Sequence, residues 1–517
     1  MKLHRPKWAV FLSLLLGTHA GHAQPLRAVQ VRVANGVLEG VVSPDGKVRA
    51  FKGIPYAAPP IGPLRWKAPQ PAPAWTGVRK AVDFAPRAMQ GRIYDDMVFF
   101  DQGPSEDCLY LNVWRPEEPA SAKLPVMVWI HGGGFVAGSS SEPRQDAGNL
   151  SKKGVMVVTV NYRMGVFGFL AHPELTGEST HHGSGNYGLM DQMASLKWVQ
   201  ANIGNFGGDP GNVTIYGQSS GAGAVCSMLI SPMTKGLFNK AIIESGSCMK
   251  PRTTLAAGEA SGVTFANAVG CTDAATVTAC LRKVWPGTLI ANQANYLGGP
   301  KEGGAILPLQ PADAIAAGAW NKVPIMTGST KSENRLLSTS LAGITAQGYV
   351  DLVNKTYGAK AAQVLALYPL ANYKDPYDAI TQVQTDAGNA CGVEVNARTL
   401  TSLTPTYRYE FNDPTSPTLF GFAIPGEDMS NGHSAELAYL FDFTLGEKPL
   451  TAIQEKLSDQ MMHYWGAFAT NGNPNSHGAP SWPTYGSDQN VMQLRSGGAS
   501  KVINTFNADH NCTFWLS

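Results

Sequence analysis

Val213-Thr214-Ile215-Tyr216, Gly217-Gln218-Ser219-Ser220-Gly221 and Ala222-Gly223-Ala224-Val225 follow one another without a break. The first four are β-branched or aromatic and read as a strand, while the last four are small and compatible with a helix. The five between them form a Gly-x-Ser-x-Gly turn. Its glycines, two residues either side of Ser219, let the strand and the helix approach without Cβ clashes, and they leave the serine at a strained tip. That tip stands over a helix N-terminus, whose unpaired N–H groups favour negative charge on a nearby oxygen. Such a turn arises often in a chain rich in glycine and serine. The strand before it and the helix after it make it a candidate nucleophile elbow in an α/β fold with a parallel sheet.

Upstream, Leu124-Pro125-Val126-Met127-Val128-Trp129-Ile130 is a continuous apolar run, as expected of a strand buried on both faces. It leads straight into His131-Gly132-Gly133-Gly134-Phe135. Attack of a hydroxyl on a carbonyl carbon builds negative charge on oxygen, and N–H groups uncovered by side chains can meet it without reorganising. The amides of Gly133, Gly134 and Ser220 are therefore the candidate oxyanion hole.

A serine hydroxyl needs a base, and the base needs an orienting carboxylate, both expected after the serine in chain order. His131 belongs to the glycine turn, and His172, His181 and His182 precede the serine. His463 lies in a helical pattern, and His477 and His510 fall in polar loops near the end. His433 remains, in a loop that opens the apolar segment 437–441; the bland alternative is a capping or solvated histidine. For the acid, Glu333 lies just beyond a short strand pattern at 322–328, and Asp413 follows another at 406–411. Spacing leaves that choice open.

Further segments carry a resemblance. They are Phe51-Lys52-Gly53-Ile54-Pro55-Tyr56-Ala57-Ala58-Pro59-Pro60, Ser105-Glu106-Asp107-Cys108-Leu109-Tyr110-Leu111-Asn112-Val113-Trp114, and Phe206-Gly207-Gly208-Asp209-Pro210-Gly211-Asn212 running into the elbow. Asn161-Tyr162-Arg163, Trp465-Gly466-Ala467-Phe468-Ala469 and Gly472-Asn473-Pro474-Asn475 join them. Together they resemble the type-B carboxylesterases, the family that includes the cholinesterases and their non-catalytic adhesion relatives. The resemblance implies an α/β-hydrolase fold, with a large, mostly parallel central sheet flanked by helices and carrying long insertions.

It also implies a carboxylic ester hydrolase working through an acyl-enzyme, with Ser219 as nucleophile, His433 as base and Glu333, rather than Asp413, as acid. Asn334 stands where the family usually has glycine. Ser245 would support the acid, and Arg65 with Glu106 and Arg163 with Asp191 would be structural ion pairs. Cys271 with Cys280 and Cys391 with Cys512 match family disulfides. Cys108 lacks its usual partner in 87–90, so Cys108, Cys226 and Cys248 are expected as buried free thiols. The aromatic that holds choline in cholinesterases falls near Val98, which disfavours quaternary ammonium substrates. The loop 293–306 would shape the acyl side, with Lys301 facing either solvent or an acidic acyl group.

Bulk properties narrow the classes. The candidate residues are strewn from Gly133 to His433 in 517 residues, so one catalytic domain over 24–517 is expected rather than several. Lys2, His4, Arg5 and Lys7 precede an apolar core at 8–16, and Gly21 and Ala23 suit cleavage, so 1–23 reads as a signal peptide. No later apolar run is long enough to span a bilayer, and the mature chain is expected to be exported, periplasmic or extracellular. The net charge of +2 with no basic run gives no indication of nucleic acid. No cofactor motif or metal-ligand spacing occurs, which leaves a small-molecule ester as the expected partner. The rival readings are an interaction protein without chemistry, or a hydrolase of amides, lactones or thioesters.

Overall fold

The computed structural model describes residues 26–94, 97–117, 123–417, 424–441 and 449–517; the expected leader lies outside them. Among the described residues thirteen strands form the main sheet. In chain order they are β1 (Ala28–Val33), β2 (Gly36–Val42), β3 (Val48–Pro55), β4 (Val78–Lys80), β5 (Tyr110–Pro116), β6 (Leu124–Ile130) and β7 (Met156–Val160). There follow β8 (Gly208–Gln218), β9 (Lys240–Glu244), β10 (Ile325–Thr330), β11 (Thr406–Phe411), β12 (Val491–Leu494) and β13 (Lys501–Ile503). The spatial order is β1-β2-β3-β5-β7-β6-β8-β9-β10-β11-β12-β13, with β4 beside β2. From β7 through β12 every pairing is parallel, and antiparallel strands close both sides. The expected α/β-hydrolase architecture is present.

Alternation explains why β6 is apolar throughout. Val126, Val128 and Ile130 pack into one core with Val158, Ile215 and Ile243, whereas Met127 and Trp129 point into another with Tyr216, Ile242 and Met326. Helices α1 (Tyr187–Asn202) and α2 (Ser220–Ile230) cover the first face through Leu189, Leu196, Val225 and Met228. Helix α3 (Ala452–Asn471) covers the second through Leu457, Met461, Trp465 and Phe468. A capping box between Thr451 and Gln454 starts α3, and Gly472, at φ 74°, ends it. A sheet walled on both sides leaves only the strand ends free for chemistry.

The two expected ion pairs form. Arg65 Nη2 lies 2.6 Å from Glu106 Oε1, and Arg163 Nη2 lies 2.7 Å from Asp191 Oδ1, the second pair buried. Orphaning a buried charge destabilises by roughly 3–5 kcal/mol. Asp191→Ala is accordingly expected to lower the unfolding free energy by about that amount, read as an earlier denaturant midpoint with an unchanged slope.

Disulfides join Cys271 to Cys280 and Cys391 to Cys512 as expected. One expectation is corrected: Cys226 and Cys248 are bonded to each other, with Cα atoms 5.0 Å apart. Cys226 lies on α2, which follows β8, and Cys248 lies just past the end of β9. Because β8 and β9 are parallel neighbours, helix and loop meet over the same edge, a proximity that linear spacing does not reveal. Cys108 is a buried free thiol, and burial pushes its pKa up.

Candidate active site

Each candidate residue follows the carboxyl end of a strand. The glycine turn follows β6, Ser219 follows β8, Ser245 follows β9, Glu333 lies beyond β10, and His433 lies in the connection after β11. Parallel register aligns these ends, with Gly217 opposite Ile130 and Gln218 opposite Glu244.

Ser219 adopts φ 59°, ψ −124° at the N-cap of α2. For a residue with a side chain this is strained backbone, of the kind worth about 1–3 kcal/mol and concentrated at working sites. Its N–H donates to Glu244 O at 2.9 Å, and its carbonyl accepts from Gly223 N at 3.0 Å, so neighbours on both sides impose the turn. Gly221 has no alternative: a Cβ there would stand 2.0 Å from Ile130 O. Gly133, at φ 108°, is equally constrained, since its Cβ would stand 2.0 Å from Ala137 O. Among the described residues the Gly133 and Gly134 amides have no acceptor. Ser220, first in α2, has none within its own helix. Ser220 Oγ accepts from Phe135 N at 3.1 Å, tying the glycine turn to the elbow.

His433 and Glu333 are clasped twice. His433 Nδ1 lies 2.5 Å from Glu333 Oε2, and His433 N donates to Glu333 O at 3.1 Å. Thr330 N donates to the other carboxylate oxygen at 2.9 Å. Burial pushes the Glu333 carboxyl up, but the charge and hydrogen bond of His433, with Ser245 and Thr330, outweigh it and hold the group below its ordinary 4.5. Ser245, at φ 53°, acts on that carboxylate at close range, though its hydroxyl makes no hydrogen bond of ordinary geometry. Asp413 is spent elsewhere, accepting from Tyr439 Oη at 2.6 Å and from Thr415 and Ser496. Geometry therefore agrees with Glu333 as the partner of this histidine.

A cavity of about 510 Å³ contains the edge. Gly132, Gly133, Gly134, Gln218, Ser219 and His433 line its floor, and Tyr94, Met97, Trp129, Leu336, Leu337 and Leu437 supply apolar wall. Glu142 and Arg144 also line it, paired at 2.7 Å. Val98 lines a neighbouring cavity beyond Ile93, Tyr94 and Met97.

The loop 293–306 does not line the catalytic cavity. Gly299 packs behind Phe135 instead. Lys301 also departs from both of its expected roles, because it is buried and donates to Gly298 O and Gly299 O. Burial without a carboxylate brings its pKa down to about 7. Two further carboxyls, Glu244 and Glu436, are buried and interact with each other by charge, Glu436 also with Glu333 and His433. Burial pushes Glu244 up to about 8, against a hydrogen bond from Trp465 Nε1, and pushes Glu436 far up as well. Their only signal in the chain is proximity to Ser245 and His433.

The carboxylesterase family matches residues 27–515 of this chain. "Fumonisin B1 esterase" of Sphingopyxis macrogoltabida is 36% identical over 478 residues, covering 89% of this chain and 85% of that protein. "Cocaine esterase" of Oryctolagus cuniculus is 36% identical over 501 residues, covering 91% and 92%. Among solved structures, "PNB esterase" superimposes with a TM-score of 0.77 at 31% identity, covering 93% of this chain and 98% of that one.

Proposed function

The chain belongs to the carboxylesterase family and is a carboxylic ester hydrolase, and from that premise we propose that Ser219, His433 and Glu333 carry the reaction. His433, held by Glu333 at Nδ1, takes the Ser219 proton at Nε2 as the hydroxyl attacks the ester carbonyl. The amides of Gly133, Gly134 and Ser220 receive the oxyanion. The C–O bond to the alcohol breaks as His433 returns the proton to the leaving oxygen. Water, deprotonated by the same imidazole, then splits the acyl-serine, releasing the acid and restoring the hydroxyl. The observation that carries this reading is one cavity lined by both Ser219 and His433, whose imidazole lies 2.5 Å from a buried carboxylate.

A fluorophosphonate tests it. One equivalent is expected to add to Ser219, identified by peptide mass, with matching loss of hydrolysis of a chromogenic ester. Label at another serine alone would remove Ser219 from the role. Acid inactivation is expected too, since an imidazolium cannot accept the serine proton: the rate should fall with unit slope as pH drops through the range in which the imidazole protonates. Glu333, held below 4.5, stays ionised across that range, so the limb reports the imidazole. Its depressed pKa also contributes stability that is present above 4.5 and is lost as pH falls through its folded value.

Relatives at the same 36% identity are named for different esters. Acyl and alcohol preference therefore resides in the wall around Tyr94, Met97, Leu336 and Leu337, and a panel varying both groups measures it. Export by a leader at 1–23 is part of the same proposal. Three disulfides support it, and no helix among the described residues is long and apolar enough to cross a membrane.

A further inference from the structure

Gln218 is the last residue of β8, immediately before Ser219, and it is buried. Its Nε2 lies 3.2 Å from His433 Nε2 and 3.5 Å from His433 Nδ1. The near-equality of these distances fixes what kind of contact it is. A donor on the Nε2 lone-pair axis at hydrogen-bond distance would stand roughly 5 Å from Nδ1, on the far side of the ring. The amide nitrogen instead rests against the ring between its two nitrogens, off the lone-pair direction of Nε2. Its Oε1 faces Gly132, where a Cβ would stand 3.3 Å from it. The backbone of Gln218 is fixed as well, since it is paired in register with Glu244 on β9.

We propose that Gln218 is a positioning residue for the reaction: its neutral amide braces the His433 imidazole from off the Nε2 lone-pair direction and brings no charge of its own to the ring. The inference rests on His433 being the base. Glu333 then holds the ring through Nδ1 and Gln218 holds it from the side, so two contacts fix both tilt and swing. Neutrality is the second half of the role. Among the described residues, Glu333 and Glu436 act on the imidazole by charge, and Glu244 stands beside Gln218 in the β8–β9 register. Across the cavity stand Glu142 and Arg144, paired with each other. Glu244 and Glu436 are both pushed up by burial, so of these three Glu333 is the one that is charged against the imidazole. A second carboxylate in the Gln218 position would stabilise imidazolium and delay the appearance of free base to higher pH.

Two variants separate brace from charge. Gln218→Glu, nearly isosteric, is expected to move the acid limb of kcat/KM upward by about one pH unit or more. Gln218→Met keeps length without charge or amide: its acid limb should stay in place while kcat falls about tenfold and KM stays within about twofold. Melting curves of both variants verify folding. A folded Gln218→Glu protein with an unmoved limb, or a folded Gln218→Met protein with wild-type kcat, overturns the inference. Fluorophosphonate labelling of the wild type distinguishes the two levels. Normal labelling at Ser219 beside either of those results removes only the role of Gln218, whereas absent labelling removes the base itself and this inference with it.

Discussion

Ser219→Ala is expected to lower ester turnover on the order of 10⁵- to 10⁶-fold while leaving the protein folded. The size follows from the reaction: without the hydroxyl no acyl-enzyme forms, and what survives is water attack assisted by the oxyanion donors and binding. The small structural effect follows from how the elbow is held. The Ser219 N–H is bonded to Glu244 O and its carbonyl to Gly223 N, both backbone contacts that alanine keeps. The positive φ of 59° burdens serine and alanine alike. Thermal melting should therefore move little, and ester binding, measured by inhibition of residual activity, should persist. Activity within tenfold of wild type would assign the nucleophile elsewhere.

The sequence carried the edge of the sheet more readily than the cavity. Strand β6 declared itself because a run apolar at every position is what burial on both faces demands, and Met127 and Val128 do face opposite cores. The elbow declared itself because Gly221 cannot be another residue beneath Ile130. The acid did not, since Glu333 and Asp413 both follow strands. Resemblance preferred the first, and geometry shows the second bonded to Tyr439.

What stayed hidden depends on contacts between segments far apart in the chain. Cys226 and Cys248 meet because two parallel strands deliver a helix and a loop to the same side. Lys301 reads as a surface charge by residue type, yet the carbonyls of Gly298 and Gly299 receive it inside the protein. Leu336 and Leu337 enter the cavity wall from the segment that follows Glu333, with no periodicity to mark them. Gln218 was in plain view beside the nucleophile, but its contact depends on a histidine 215 positions away.

Glu333→Gln is the sharper test of the triad, because it alters one charge and almost no volume. Thr330 N donates to Glu333 Oε1, and a glutamine oxygen would keep that bond. The amide nitrogen must then take the position of Oε2, facing His433 Nδ1. An N–H donor there requires Nδ1 to be the acceptor, so the ring proton moves to Nε2, the nitrogen that has to receive the serine proton. Wrong tautomer and lost counter-charge act together, and kcat is expected to fall about 10³- to 10⁴-fold, with KM little changed. Fluorophosphonate addition to Ser219 should slow in parallel, since it needs the same proton transfer. Asp413→Asn supplies the contrast: its carboxylate serves Tyr439, Thr415 and Ser496, so its effect should appear in stability while the activity of the folded fraction stays near wild type. A Glu333→Gln protein that kept a tenth or more of wild-type kcat would show that His433 finds its working tautomer without this carboxylate.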